Sequence, residues 1–389
     1  MTAGPVIVTD GESRAALAAV RSLGAAGIPV HVVASKPSSL AGCSRFAQTE
    51  LVLPDPQHAA VAWAEALSGL ATSLPGSLIL PVTEVALGTV HESGLAKRCA
   101  VAAPGAEEYA IAVDKHALLK RASSVGLDVP RGVLIEDPKS LGELPPGFAL
   151  PVVVKARRTR WLDGDRWCGG GARIVRTAAD LQAAAHDPGF AAGALLQEFV
   201  PGHGEGLFFL MEHGVARARF AHRRLREKPP WGGVSVLCES VEPDPELARA
   251  SERLLGELGW HGVAMVEFRR APDGRAALME VNPRLWGSLQ LAIDAGVDFP
   301  RLLASLYRGE TLPPVESRIG VRTRWLFGDL DHLAIALRRR AVRQALGRSA
   351  PALVAQFVRS FFDGSRLEVW RRDDPGPFRA ELRERLGRA

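Results

Sequence analysis

The stretch from Val263 to Asn282 constrains this chain more than any other. Val263, Met265 and Glu267 alternate, so they share one face of a strand. Ala271-Pro272-Asp273-Gly274 is a turn sequence, and Leu278, Glu280 and Asn282 share one face of the strand after it. Folded back on that turn, the hairpin sets Glu267 nearly opposite Glu280. Like charges facing across a strand pair repel. Such a pair, half withdrawn from water, requires a cation, a shared proton or solvent. Asn282, the only asparagine in the chain, adds a neutral oxygen on the same face. Two carboxylates and an amide form a hard oxygen set that suits a magnesium ion also bound by phosphate. The competing arrangement is an exposed acidic hairpin.

The rest of the chain has the punctuation of a layered α/β protein. Val6-Ile7-Val8 is a short strand, a helical pattern carries Leu17, Val20 and Leu23, and Val30 to Val33 is a second strand. This βαβ opening predicts a doubly wound parallel sheet within residues 1–108, with Leu78 to Val82 as a later strand. The first strand-to-helix turn, Asp10-Gly11-Glu12-Ser13-Arg14, lacks the G-x-G-x-x-G fingerprint, which argues against a dinucleotide-dependent oxidoreductase. The turn is either a capped helix start or an anion site. A helix capped by Asp114 runs to Val125, Val152-Val153-Val154 is a buried strand, and Leu195 to Val200 is another. Residues 207–220 and 234–241 alternate like strands, and Glu246 to Leu258 is helical. From about 314 the chain is mostly helical and basic.

Composition is that of a globular enzyme, with 47% hydrophobic and 23% charged residues in 389. The net charge of +5 comes from 41 Arg and 7 Lys against 43 acidic residues. No basic–aromatic module for nucleic acid is visible, and no apolar run is long enough to span a bilayer. The basic tail leaves an anionic membrane surface as a further reading. No signal peptide is expected. Cys43, Cys99, Cys168 and Cys238 are widely spaced, which predicts free thiols in a reducing cytoplasm.

In a chain that prefers arginine, Lys155 ends an apolar strand and Lys115 opens a helix. A compact ammonium facing phosphate as a point charge explains both. Gln197-Glu198-Phe199-Val200 closes a strand whose backbone suits an adenine edge, and Glu205 follows a Gly-His-Gly turn. The loop from Arg157 to Arg173, with Gly169-Gly170-Gly171, is a candidate phosphate lid or a plain basic loop. His222 to Lys228 carries a cluster of arginines, and Trp231, Gly232, Gly233 and Ser235 follow it. Together they suggest substrate or phosphate binding.

Asp114-Lys115, Val153-Val154-Lys155-Ala156, Gln197-Glu198-Phe199-Val200, Glu205, Val266-Glu267-Phe268 and Met279-Glu280-Val281-Asn282-Pro283-Arg284 stand in the order and spacing of the ATP-grasp superfamily. Over roughly residues 1–310 the chain resembles its carboxylate–amine ligase branch. The resemblance implies an α/β and α+β architecture. An N-terminal pre-ATP-grasp parallel sheet (1–108) is followed by a two-subdomain ATP-grasp fold (109–313, lid about 118–197). A mostly helical extension (314–389) has no clear match.

The resemblance also implies that Lys115 and Lys155 meet ATP phosphates, that Gln197, Glu198, Phe199 and Val200 meet adenine, and that Glu205 meets ribose. Glu267, Glu280 and Asn282 would hold two magnesium ions, with manganese as an alternative. Arg284, with Arg223 and Arg224, would steady the transferring phosphoryl group. His222, Trp231, Gly232, Gly233 and Ser235 would face the substrates, a small carboxylic acid and an amine. The expected reaction makes an amide through an acyl phosphate and releases ADP and phosphate. Other readings are a non-catalytic ATP-binding regulator on the same fold and a kinase that stops at a phosphorylated product. A homodimer fits the resemblance.

Overall fold

A computed structural model describes residues 4–387. The first sheet is parallel, with order β3-β2-β1-β4: β1 is Val6–Val8, β2 Val30–Ala34, β3 Thr49–Val52 and β4 Leu78–Leu80. Every residue of β1 and β4 is buried. Val6 and Val8 face one apolar cluster and Ile7 faces another with Val33, Trp63 and Ile79, as expected of a parallel sheet covered on both faces. The helix Arg14–Ala25 links β1 to β2, and the Ser13 side chain caps it by accepting from the Ala16 amide.

A smaller antiparallel sheet, order β5-β10-β6-β9, follows: β5 is Gly132–Ile135, β6 Val152–Ala156, β9 Ala172–Val175 and β10 Ala194–Glu198. Helix Ala178–Ala185 covers its apolar face through Leu181 and Ala184. Between β6 and β9 stands a separate hairpin, β7 (Arg160–Asp163) and β8 (Arg166–Gly169).

The largest sheet has seven strands in the order β15-β14-β11-β12-β13-β16-β17. They are β11 His203–Glu212, β12 Val215–Lys228, β13 Val234–Ser240, β14 Gly262–Arg270, β15 Ala276–Asn282, β16 Arg322–Arg324 and β17 Arg366–Leu367. One face packs on helices Lys115–Ser124 and Pro245–Glu257 through Phe209, Met211, Leu118 and Leu254. The other meets helices Leu289–Asp294 and Phe299–Tyr307, joining the core of the first sheet.

The structure refines the sequence reading in three places. The alternating run 207–220 is two strands, because His213 (φ +47°) and Gly214 (φ +84°) make a tight turn inside it. Residues 222–228, to which the sequence pattern assigned no element, continue strand β12. The C-terminal segment is mostly helical, yet it also contributes β16 and β17 to the main sheet. Buried ion pairs hold that segment in place. The Arg324 guanidinium, fully out of solvent, bonds Asp329 at 2.6 Å, and Arg226 lies 2.9 Å from the same carboxylate. Arg21 in the first layer bonds Asp374 at 2.8 Å. Among the described residues no helix is long and apolar enough to cross a membrane, and the four cysteines are free thiols.

Candidate active site

β14 and β15 pair antiparallel with Met265 opposite Asn282 and Glu267 opposite Glu280, and a bulge follows Glu267. The row continues across the sheet. Gly206 of β11 lies opposite Glu267, and His222 of β12 lies opposite Gly206. Strand alternation therefore sends Glu280, Glu267 and His222 to one face, with Arg224 two residues on. That face forms one wall of a cavity of about 480 Å³, and β6 and β10 of the smaller sheet form the other.

The Asn282 amide bridges the carboxylates: its Nδ2 lies 3.2 Å from Glu267 Oε1 and 3.2 Å from Glu280 Oε1. Its Oδ1 accepts from Arg284 at 3.3 Å. Arg224 donates to Glu267 Oε2 at 2.6 Å, and to Glu227 and the Gly233 carbonyl at 3.1 Å each. Lys115 Nζ lies 3.7 Å from Glu280 Oε2 and donates to Thr159 Oγ1 at 2.6 Å. Lys155 Nζ is 3.6 Å from the Met279 sulfur.

These neighbours split the acidities of the two carboxyls. Burial pushes Glu267 above the usual carboxylate range, although Arg224 opposes it. Burial also acts on Glu280, but Lys115 and Lys155 outweigh it and hold Glu280 below that range. Burial lowers the Lys155 ammonium, against the pull of Glu280. A buried charge without a partner is costly, so a site this rich in both signs is one where ionic groups meet.

At the opposite end Gln197 is fully buried, and neither atom of its amide has a partner. Gln197, Glu198, Phe199 and Val200 all line the cavity. Glu198 is anchored by Arg275 at 2.8 Å, and the Val200 carbonyl by Arg269 at 2.9 Å. On the remaining side stand Trp231, Gly233, Val234 and Ser235. Gly233 (φ +155°) is required there, since a Cβ would drive into the Lys228 carbonyl.

Lys155, Gln197, Glu198, Phe199, Val200, His222, Arg224, Trp231, Gly233, Ser235, Glu267, Glu280, Asn282 and Arg284 thus surround one space, with Lys115 beside Glu280. Glu205, Arg223 and Gly232 are not part of that lining. Glu205 and Arg223 face each other on adjacent strands, one position off the cavity row, so alternation turns both away. Glu205 pairs with Arg270 at 2.9 Å, and the half-exposed Arg223 pairs with Glu239 at 2.6 Å. Sequence reasoning missed Arg14, Met265, Met279, Trp286 and Ser288, which also line the cavity. Met265 and Met279 stand in the hairpin already singled out and Arg14 closes the turn read as a helix cap or an anion site, but Trp286 carries no local signal.

The glycine-rich loop 157–173 is not free. Trp167 of β8 is buried against the first layer, its indole N–H donating to Thr89 Oγ1 at 2.8 Å. Gly88 makes the socket, because a Cβ there would collide with the indole. The Asp165 carboxylate accepts from the Val61 amide at 2.6 Å, and Gln57 bonds the Trp167 carbonyl.

Residues 195–328 match a family described as "ATP-grasp in the biosynthetic pathway with Ter operon". Over 361 residues the chain is 26% identical to the carbamoyl phosphate synthase large chain of Thermus thermophilus. That match takes in 87% of this chain and 34% of the relative, so the chain spans about a third of that protein's length. Biotin carboxylase from Campylobacter jejuni superposes with a TM-score of 0.65 at 15% identity, over 82% of this chain and 74% of that one. L-amino acid ligase from Bacillus licheniformis superposes with a TM-score of 0.62 at 16% identity, over 79% and 75%. These structural likenesses speak for the fold. The segment matched by the ATP-grasp family model holds the site-bearing hairpin, and the solved structures share the fold of this chain.

Proposed function

We propose that this protein is an ATP- and magnesium-dependent ligase that joins a carboxylate to an amine through an acyl phosphate. One observation carries the reading: Glu267 and Glu280, in register and bridged by Asn282, share a cavity with Lys155, Arg224 and Arg284. Gln197 to Val200 would take the adenine, whose edge could satisfy the unpartnered Gln197 amide. Lys115 and Lys155 would meet the phosphates.

Among the described residues no group of three His, Cys, Asp or Glu side chains is placed to hold a metal. Two carboxylates and an amide oxygen still fit a hard ion whose remaining ligands are phosphate oxygens and water. Glu267, Glu280 and Asn282 would hold it, after the amide turns its oxygen inward. Magnesium bound there would neutralise phosphate charge.

A carboxylate is a poor electrophile. Its oxygen attacks the γ-phosphorus, the bond to the β–γ bridging oxygen breaks, and ADP leaves. The amine then attacks the acyl carbon, phosphate departs, and the nitrogen loses a proton. Arg284 and Lys155 would steady the negative charge in transit. The same cavity wall would keep water from the acyl phosphate.

The test is ADP release by the full chain with magnesium across paired acids and amines, with mass spectrometry of the product. An amide formed in step with ADP supports the reading. Tight ATP binding with no ADP from any pair would favour a regulatory protein. A phosphorylated acid that accumulates without needing an amine would favour a kinase.

A further inference from the structure

Three polar atoms of the cavity lining have no nitrogen or oxygen partner in the protein. Trp286 and His222 both line the cavity and are each only 1% exposed, yet the Trp286 indole N–H and His222 Nε2 make no hydrogen bond. Ser235 Oγ, which also lines the cavity, has only the weakly bonding Cys238 sulfur near it. Leaving a buried donor unpaired costs about 1–3 kcal/mol, and native proteins carry few such groups. His222 and Trp286 cluster around Phe208, at ring distances of 4.7 and 4.3 Å.

The chemistry of the three is alike. An indole N–H can only donate, and a hydroxyl can donate. Burial, helped by Arg224, holds the His222 pKa far below its ordinary value, so the imidazole is neutral. Its Nδ1 lies 3.3 Å from the Ser288 hydroxyl; when that hydroxyl donates, Nδ1 accepts and Nε2 carries the ring proton as the unpaired donor.

A cation reaches the same end. Arg14 lines the cavity beside Gly287, where a Cβ would stand 3.2 Å from its guanidinium. Two residues of the C-terminal segment hold it: Glu368 bonds it from behind the cavity wall, and the Trp325 ring lies 4.1 Å from its Cζ. Convergent N–H and O–H groups with an arginine suit a carboxylate.

We infer that this end of the cavity is a subsite for a carboxylate that does not react, so that one of the two substrates carries a carboxylate beyond the reacting group. An α-amino acid used through its amine has that chemistry, and so does a dicarboxylic acid activated at its other end. The inference rests on the ligase reading. It assigns Trp286, Ser235 and Arg14 to recognition, and Glu368 to positioning Arg14.

The test is calorimetric titration of the full chain, saturated with MgADP, with L-alanine, L-glutamate and succinate and then with their methyl esters. At least one free acid is expected to bind, and its ester about tenfold more weakly, the loss of one charge-assisted contact. Binding of an amino acid but not succinate would identify the amine substrate as the bearer, and the converse the acid. Trp286→Phe deletes an N–H that makes no existing bond, so it spares the fold. It and Arg14→Gln should each weaken the acid by about tenfold while MgADP binds as before. Glu368→Gln should weaken the acid less than Arg14→Gln does.

Equal binding of acid and ester, unchanged acid binding in Trp286→Phe and Arg14→Gln, or no acid binding to the MgADP-loaded protein would each overturn the subsite. Absence of MgADP binding would instead overturn the ligase reading, and the same acids titrated without nucleotide would then decide the subsite by itself.

Discussion

Glu267 and Glu280 face each other across the β14–β15 hairpin, and a single amide group joins them: Asn282 Nδ2 lies 3.2 Å from an oxygen of each. Two like charges in register would ordinarily push the strands apart. Arg224 on one side and Lys115 on the other offset that repulsion. In the proposed reaction a divalent ion would share the task.

Glu280→Gln keeps the shape of this pair and removes a charge. We expect ADP release to fall by about 10²-fold or more, the usual cost of losing a preorganised electrostatic group. The thermal midpoint should stay near that of the wild type. Substantial residual turnover in the coupled assay would remove Glu280 from the metal site.

The hairpin carrying Trp167 is latched to the first layer through Gly88 and Thr89. Trp167→Ala leaves a cavity where an indole was packed, and should cost about 3–5 kcal/mol in urea denaturation. Limited proteolysis should then cut within 160–169 sooner than in the wild type. Unchanged stability together with unchanged cleavage would contradict the latch.

Asp329 is shared by Arg226 and Arg324, all three side chains lying out of solvent. Asp329→Ala strands two buried guanidinium groups and should destabilise the protein by about 3–5 kcal/mol. The companion variant Arg223→Ala breaks a pair exposed on its arginine side, and should cost no more than about 1 kcal/mol. Chemical denaturation of the two variants side by side separates a buried network from a surface pair.

His91 stacks on Tyr109 at 4.2 Å, and its Nε2 is buried without a partner. Burial lowers its pKa from 6.5 to about 4. Between those values the unfolded chain holds the proton and the folded one does not, so this group makes stability fall as the pH drops from 6.5 toward 4. His91→Phe should flatten that part of the stability–pH curve, measured by urea melts at several pH values. An unchanged slope would mean that His91 titrates normally.

The local pattern of residues 263–282 was enough to specify a hairpin with Glu267 opposite Glu280, because period-two alternation and a Pro-Asp-Gly turn set its register. The Asp114 cap, which accepts from the His116 and Ala117 amides, was legible for the same local reason. Alternation also separates Arg223 from Arg224. Which of them faces the cavity depends on the register of the β11–β12 hairpin, and that register shifts at an irregularity between Leu210 and Met211.

Tertiary packing alone decided the rest. Arg14, His222, Trp286 and Glu368 share no periodic pattern: His222 and Trp286 meet around Phe208, the first layer brings Arg14 beside Gly287, and the C-terminal segment adds Glu368 to Arg14. Trp167 meets Gly88 through the meeting of two sheets, so a loop that looked mobile in sequence is held. Side-chain periodicity is a property of neighbouring residues and can be read along the chain. Contacts between layers depend on how those layers pack, which no short stretch of sequence encodes.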